Sequence, residues 1–333
     1  MAAIKKSNCF FHKHGHKADC RVHNTFMVIF AIIQIILSQV PNFHKLSPLS
    51  VVAAIMSFTY SSIGIGLSIA KIAGEGIGKT TLTGKPLSKD FTSMEKMWTT
   101  FSALGDVAFA YLFCFILIEI QDTLKSSLPE NKQMKKATAT PILASTVFYM
   151  LCGMLGYAAF GNDAPGNFLT GFGFYDPFWL IDIANICIVV HLLGAYQVLA
   201  QPFFGFVESW SKEKWPQNKF VTKEFSIWRF NFNIFRFVRR TIYVIVTTII
   251  AMIFPFFNDF VGLLGAGTFW PLSVYFPIAM HISQARIRKY SFTWIWMQIL
   301  SLGCLLVSLV AAVGSTRGLI TSVQTFKPFQ SVS

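Results

Sequence analysis

Eight long apolar runs, separated by short polar connections, constrain this chain more than any other feature. A spanning helix rises about 1.5 Å per residue, so roughly 20 apolar residues cross the hydrocarbon of a bilayer. The runs 25–41, 48–70, 98–121, 141–161, 177–206, 241–257, 260–282 and 293–315 reach or approach that length. Backbone amides find no water there, so a run of this kind must satisfy them internally as a helix. The expected fold is therefore an all-α integral membrane protein with eight transmembrane helices. Residues 1–24 form an extracellular loop, 25–315 the transmembrane domain, and 316–333 an extracellular tail. A 53% share of hydrophobic residues and a mean hydropathy of +0.53 exclude an ordinary soluble chain. The first 24 residues carry Lys5, Lys6, Lys13, Lys17 and Arg21 and have no apolar core, so they do not read as a signal peptide.

The net charge of +13 suggests nucleic acid only until its placement is examined. An even number of spans puts both termini on one side. The connections 41–47, 122–140, 207–240 and 283–290 then hold 16 Lys and Arg, against 12 elsewhere. Basic residues favour the cytoplasm, which places both termini outside. The charge belongs to topology and lipid headgroups, and the lipid bilayer rather than nucleic acid is the expected partner.

Cysteine usage fits this orientation. Cys114, Cys152, Cys187 and Cys304 lie in apolar segments, as reduced packing residues would. Cys9 and Cys20 lie in the outer loop, where a disulfide between them is permitted. Between them His12, His14 and His16 alternate, but one short cluster without a second ligand set does not make a metal site, and none is expected.

Two carboxylates stand inside the run 98–121. Charge at membrane depth is costly, so it usually faces a cavity or a partner and marks a transport path. On one continuous helix Asp106 and Glu119 would lie about 20 Å apart along the axis and on nearly opposite faces, too far to act as a pair. Glu119 sits beside the basic stretch "KSSLPENKQMKK" and reads as a helix-end charge. Asp106 follows "SALG", where Gly105 weakens the helix. Asp106 is then either a proton or ammonium partner at a break in the helix, or a helix charge at the outer interface. Discontinuous helices of this kind hold substrate and coupling ion in many secondary transporters.

Along 177–206, Asp182, Asn185 and Tyr196 share a helical stripe, with His191 on a different side. The stripe either lines a permeation route or bonds neighbouring helices, and for His191 the second is favoured. Hydrolase, metalloprotease and nucleotide-binding signatures are absent, and no connection is long enough to hold an enzyme domain.

Motifs along the chain carry a resemblance. "SNCFFHKHGHKADC", "IIQIILSQVPNFHKLSPLS", "MSFTYSSIGIGLSIAK", "GDVAFAY", "LIEIQDTLKS", "GYAAFGNDAPGNFLTGFGFYDPFWLIDIAN", "HLLGAYQVLAQP", "FPFFNDFVGLLGA" and "FWPLSVYFP" resemble the plant amino acid permeases, members of the amino acid/auxin permease family. The resemblance implies a plasma-membrane symporter that moves neutral and acidic amino acids inward with a proton as the only coupling species and no cofactor. It implies an eleven-helix fold with two inverted repeats, of which these eight spans resemble the fourth to eleventh helices. Run 98–121 is then similar to the discontinuous sixth helix. Ser102, Ala103, Gly105, Asp106 and Phe109 would face the substrate at its break, and Asp106, Asp182 and Asn185 would be candidates for proton coupling.

The same resemblance implies that the family's first three helices, including half of its substrate site, lie outside this chain. Poor binding and transport by the chain alone follow as an expectation. Three readings differ in class: a proton-coupled permease working by alternating access, a non-transporting membrane protein that associates with a full-length permease, and a membrane enzyme. The residues favour the first and give the third no nucleophile or metal cluster.

Overall fold

The computed structural model describes residues 4, 9, 12, 25–40, 47–81, 83–88, 92–121, 130–167, 169, 174, 177–227, 230–254 and 257–325. Its helices are α1 (Thr25–Leu37), α2 (Ser47–Glu75), α3 (Ser93–Ala110), α4 (Cys114–Gln121), α5 (Glu130–Phe160), α6 (Phe178–Lys214), α7 (Lys219–Thr222), α8 (Ile234–Ile253), α9 (Phe257–Thr268), α10 (Phe276–Gln284) and α11 (Phe292–Thr325). A π-helical segment, Phe269–Tyr275, joins α9 to α10. Among the described residues five stretches are long and apolar enough to cross a membrane: Pro48–Glu75, Lys132–Asp163, Phe178–Lys214, Asp259–Gln284 and Phe292–Gln324. Each of the eight expected runs coincides with helix, but the limits move. Helix α11 continues to Thr325, through the first ten residues of the expected tail, and α5 begins before its expected start with Pro141 inside it. Between α6 and α8 the chain forms α7 and a hairpin, Phe225–Ile227 against Phe230–Phe232.

The chain divides into two compact units. The first comprises Met1–Gly84 and Thr138–Ile253, the second Lys85–Ala137 and Phe254–Gln330. In the first, α2 packs along α6, while α1 packs on α6 and α8. Gly194 of α6 lets α2 approach, because a Cβ there would lie 2.7 Å from that of Ala53. An apolar cluster of Leu67, Leu169, Phe174, Ile181 and Ala184 fills one region of this unit. A polar cluster holds α1 to α6: the buried Gln197 Nε2 donates to Gln34 Oε1 at 2.5 Å and to Ser38 Oγ at 3.0 Å. Apolar packing alone gives little drive for association inside lipid, and hydrogen bonds of this kind supply part of it.

The charged end of the unit is built on Glu208 of α6. Its Oε1 accepts from Arg239 Nη2 at 2.7 Å and from Arg240 Nε at 2.9 Å, and Arg236 Nε lies 3.5 Å from Oε2. Arg240 is only 1% exposed. Its Nη1 donates to Ser38 O and, at 2.9 Å, to Val40 O. Those carbonyls follow the last turn of α1, where no intrahelical donor is left and a cation is favoured. A sequence of basic residues that reads as a topology signal therefore also ties three helices together.

In the second unit α3, α9 and α11 pack pairwise. Glycine sets their separation. A Cβ on Gly265 would overlap Gly105 O and lie 2.7 Å from Phe109 N, and one on Gly105 would overlap Gly262 O. A Cβ on Gly314 would lie 2.7 Å from Ser102 N. These are backbone atoms, which cannot step aside as a flexible side chain would. Helix α3 starts with a capping box, Thr92 N donating to Glu95 Oε2 at 2.8 Å and Glu95 N to Thr92 Oγ1 at 3.3 Å.

Two substitutions test this packing. Gly265→Ala should destabilise the protein by about 1–3 kcal/mol through overpacking, whereas Gly267→Ala, which meets nothing within 4 Å, should leave the melting temperature of the detergent-solubilised protein in place. Glu208→Ala should cost about 3–5 kcal/mol, because it leaves Arg240 buried without its anion; an unchanged melting curve would contradict that role.

Candidate functional site

Residue Asp106 sits in the middle of the three-helix contact of the second unit. The sequence expectation placed a break at Ser102 to Asp106; α3 is instead continuous there and ends at Ala110. The interruption comes at Tyr111–Phe113, where Tyr111 N bonds to Ala108 O at 3.3 Å and Leu112 N to Phe109 O at 3.0 Å. These bonds span three residues instead of four, so the turn tightens and the helical ladder restarts at Cys114. Gly105 is needed for close approach to α9 and not for a break. Ser102 to Asp106 thus lie within continuous helix, while Phe109, whose carbonyl accepts from Leu112 N, adjoins the interruption.

Four of the five candidate substrate residues take part in the contact. Gly105 and Phe109 pack on Gly265. The carbonyl of Ser102 and Oδ1 of Asp106 both approach the Cα of Gly262: a Cβ there would meet Asp106 Oδ1 at 3.0 Å, Ser102 O at 3.3 Å and Ser315 Oγ at 2.7 Å. Ala103 is exposed and lies on a different face. Asp106 Oδ1 and Ser315 Oγ are buried with no hydrogen-bond partner among the described residues. A carboxylate oxygen in that position can take up a proton or accept from a ligand's ammonium, since burial without a partner is costly.

A second carboxylate, which the sequence reading did not single out, is Asp259 of α9. It interacts electrostatically with Asp106. Its Oδ2 accepts from Ser322 Oγ at 2.7 Å, and Oδ1 rests against Gly318, where a Cβ would come within 2.7 Å. The signal was available: Asp259 precedes Gly262 and Gly265 at helical spacing, a carboxylate at the edge of an apolar run. An open cleft of about 870 Å³ begins here, between the first turns of α3 and the last turns of α11, with Ser102 and Asp259 on its wall.

The stripe on α6 belongs to the first unit. Asn185 is buried and donates from Nδ2 to Leu169 O and Ile181 O, both at 2.9 Å. Tyr196 Oη lies 3.2 Å from Thr247 Oγ1, and His191 Nδ1 3.0 Å from Ala53 O. These contacts link helices and the loop after α5. Asp182 neighbours Ile181 and is half-buried. Cys9 is disulfide-bonded; Cys20, His14 and His16 lie outside the described residues, and so does the side chain of Glu119. Cys114, Cys152, Cys187 and Cys304 are free thiols.

Comparison with known proteins gives the geometry its setting. The family described as Transmembrane amino acid transporter protein matches residues 1–321. Amino acid permease 6 of Arabidopsis thaliana is 63% identical over 339 residues, covering 99% of this chain and 70% of the permease. Amino acid permease 8 of the same plant is 60% identical over 338 residues, covering 100% of this chain and 71% of its own length. Amino acid permease 1 is 57% identical over 338 residues, covering 100% and 70%. No solved structure matches. The family consists of transporters and not of enzymes. This multi-pass integral membrane chain belongs to the transmembrane amino acid transporter family.

Proposed function

We propose that this chain acts in the proton-coupled symport of neutral and acidic amino acids across the plasma membrane, by alternating access. The observation that carries the proton part of this reading is the buried, unpartnered Oδ1 of Asp106, one turn before a helix interruption and pressed against a glycine of α9. A buried carboxylate of this kind changes its interactions most when its charge is removed. The amino acid part rests on the likeness to the Arabidopsis amino acid permeases.

Asp106 is the first candidate for the coupled proton, and Ser102, Gly105 and Phe109 form the substrate-facing side of α3, with Ala103 retained as a weaker candidate. Asp182 stays a second candidate for proton coupling. Asn185 is a poorer one, because its amide is already used to bind Leu169 and Ile181. A disulfide between Cys9 and Cys20 is part of the same reading. The expectation that the chain alone transports weakly, and the alternative that it associates with a full-length permease, are decided by the assay below.

Uptake of labelled alanine is measured at acid and neutral pH in cells lacking their own permeases, with the 333-residue chain and with a chimera that adds the N-terminal region of Arabidopsis amino acid permease 6. Acid-stimulated uptake by either form is the expected result, and uptake by the chain alone would refute the weak-transport expectation. No uptake by either form, with both at the membrane, would overturn the symport reading; co-purification with a longer permease would then favour the alternative. In the transporting form, Asp106→Asn should lower acid-stimulated uptake by about tenfold or more, the loss of one charge-assisted contact, and remove its pH dependence. Retained pH dependence would move the proton elsewhere.

A further inference from the structure

The cleft beside the three-helix contact has a charge pattern of its own. Its wall carries Glu95 from the first turn of α3, Asp259 from α9 and Arg317 from the end of α11, together with the hydroxyls of Ser102 and Thr321. Opposite charges lining one cleft would be expected to pair. Among the described residues no ion pair joins Arg317 to either carboxylate, and Arg317 is exposed. Glu95 uses Oε2 to cap α3 and keeps Oε1. Asp259 is held toward Gly318 by the Ser322 hydroxyl, 2.7 Å from Oδ2.

A guanidinium and two carboxylates held apart across about 870 Å³ suit a ligand with both charges better than a ligand with one. An anion gains Arg317 but meets two carboxylates. A cation gains the carboxylates but meets Arg317. A metal ion finds no group of three ligating side chains among the described residues. A small zwitterion meets all three, its carboxylate taking the fork of Arg317 and its ammonium the oxygens of Glu95 and Asp259. On the positive-inside reading, the start of α3 and the end of α11 both face the outside. Ser102 lies in both the cleft wall and the candidate substrate set.

The geometry points to an outer recognition site for free amino acids, in which Arg317 binds the carboxylate and Glu95 and Asp259 the ammonium, ahead of Asp106. It rests on the amino acid reading above and adds to it a named place of first capture. Arg317 and Glu95 are exposed, so their substitution tests binding without disturbing the glycine contact. Glutamine at 95 also preserves the capping box.

The test is equilibrium binding of labelled L-alanine to the purified full chain. Arg317→Gln and Glu95→Gln should each weaken binding by about tenfold, Arg317→Lys should recover part of the loss, and none should move the melting temperature. Propionate and ethylamine, with one charge each, should compete far less well than unlabelled alanine. Wild-type affinity in Arg317→Gln, no binding by the wild-type chain, or equal competition by propionate would overturn the site. If Arg317→Gln binds normally while uptake is intact, the site fails and the symport reading stands. If binding depends on Arg317 but no form transports, the site stands and the symport reading fails.

Discussion

Helix against helix inside a bilayer gains little from burial, because lipid tails are as apolar as the side chains they replace. What remains is close backbone contact, and in the second unit that contact is the meeting of Gly105 with Gly262 and Gly265. Any side chain there would push α3 and α9 apart. The position of Asp106 is a consequence: its Oδ1 lies against Gly262 only because Gly262 has no Cβ. Gly318 does the same for Asp259, and Gly314 brings α11 onto Phe101 and Ser102. The candidate site is the space left by glycines rather than a pocket built separately.

The first unit solves the same problem with polar groups. Gln34, Ser38 and Gln197 are fully buried and bond to one another across α1 and α6. Arg240 is buried beside Glu208 and the carbonyls that follow α1. Removing one partner from such a group leaves the others unsatisfied, which fixes their geometry more strictly than apolar contact does. Arg236 and Arg239 share the same glutamate, so positive charge exceeds negative at this end of the unit. That excess agrees with a basic connection lying on one side of the membrane.

The eight helical runs were legible because each is a long stretch of one composition, and the bilayer leaves such a stretch few alternatives. Their ends were not. Proline was a poor guide: Pro141 and Pro202 lie inside helices, as neighbouring helices and local adjustments allow in membranes. Pro271 left a different trace, since it has no N–H and falls where Phe276 N bonds to Pro271 O in a π turn. Asp106 was legible as the costly residue of its run, but Gly105 misled. Glycine weakens a helix and also permits close packing, and only the neighbour, Gly262, decides between the two. The actual interruption falls at Tyr111, Leu112 and Phe113, three residues with no glycine or proline to mark them. Asp259 and Arg317 join one cleft from helices far apart in sequence, which no local pattern records.

Placing a titratable oxygen on a close helix contact has a mechanical consequence. Asp106 Oδ1 and Ser315 Oγ both crowd the Cα of Gly262, so α3, α9 and α11 meet at one point. A proton on Asp106, as proposed, would turn an acceptor into a donor within reach of that point and change what the three helices gain by staying together. Helix α3 is interrupted one turn later, and α9 passes into a π turn at Phe269. Each of these two helices therefore has an irregular turn next to the shared contact, where a small change in packing can be absorbed by the backbone. A rigid pair of helices would have to resist the change. Here the protonation state and the helix contact act on the same atoms, which is the physical requirement for coupling one to the other.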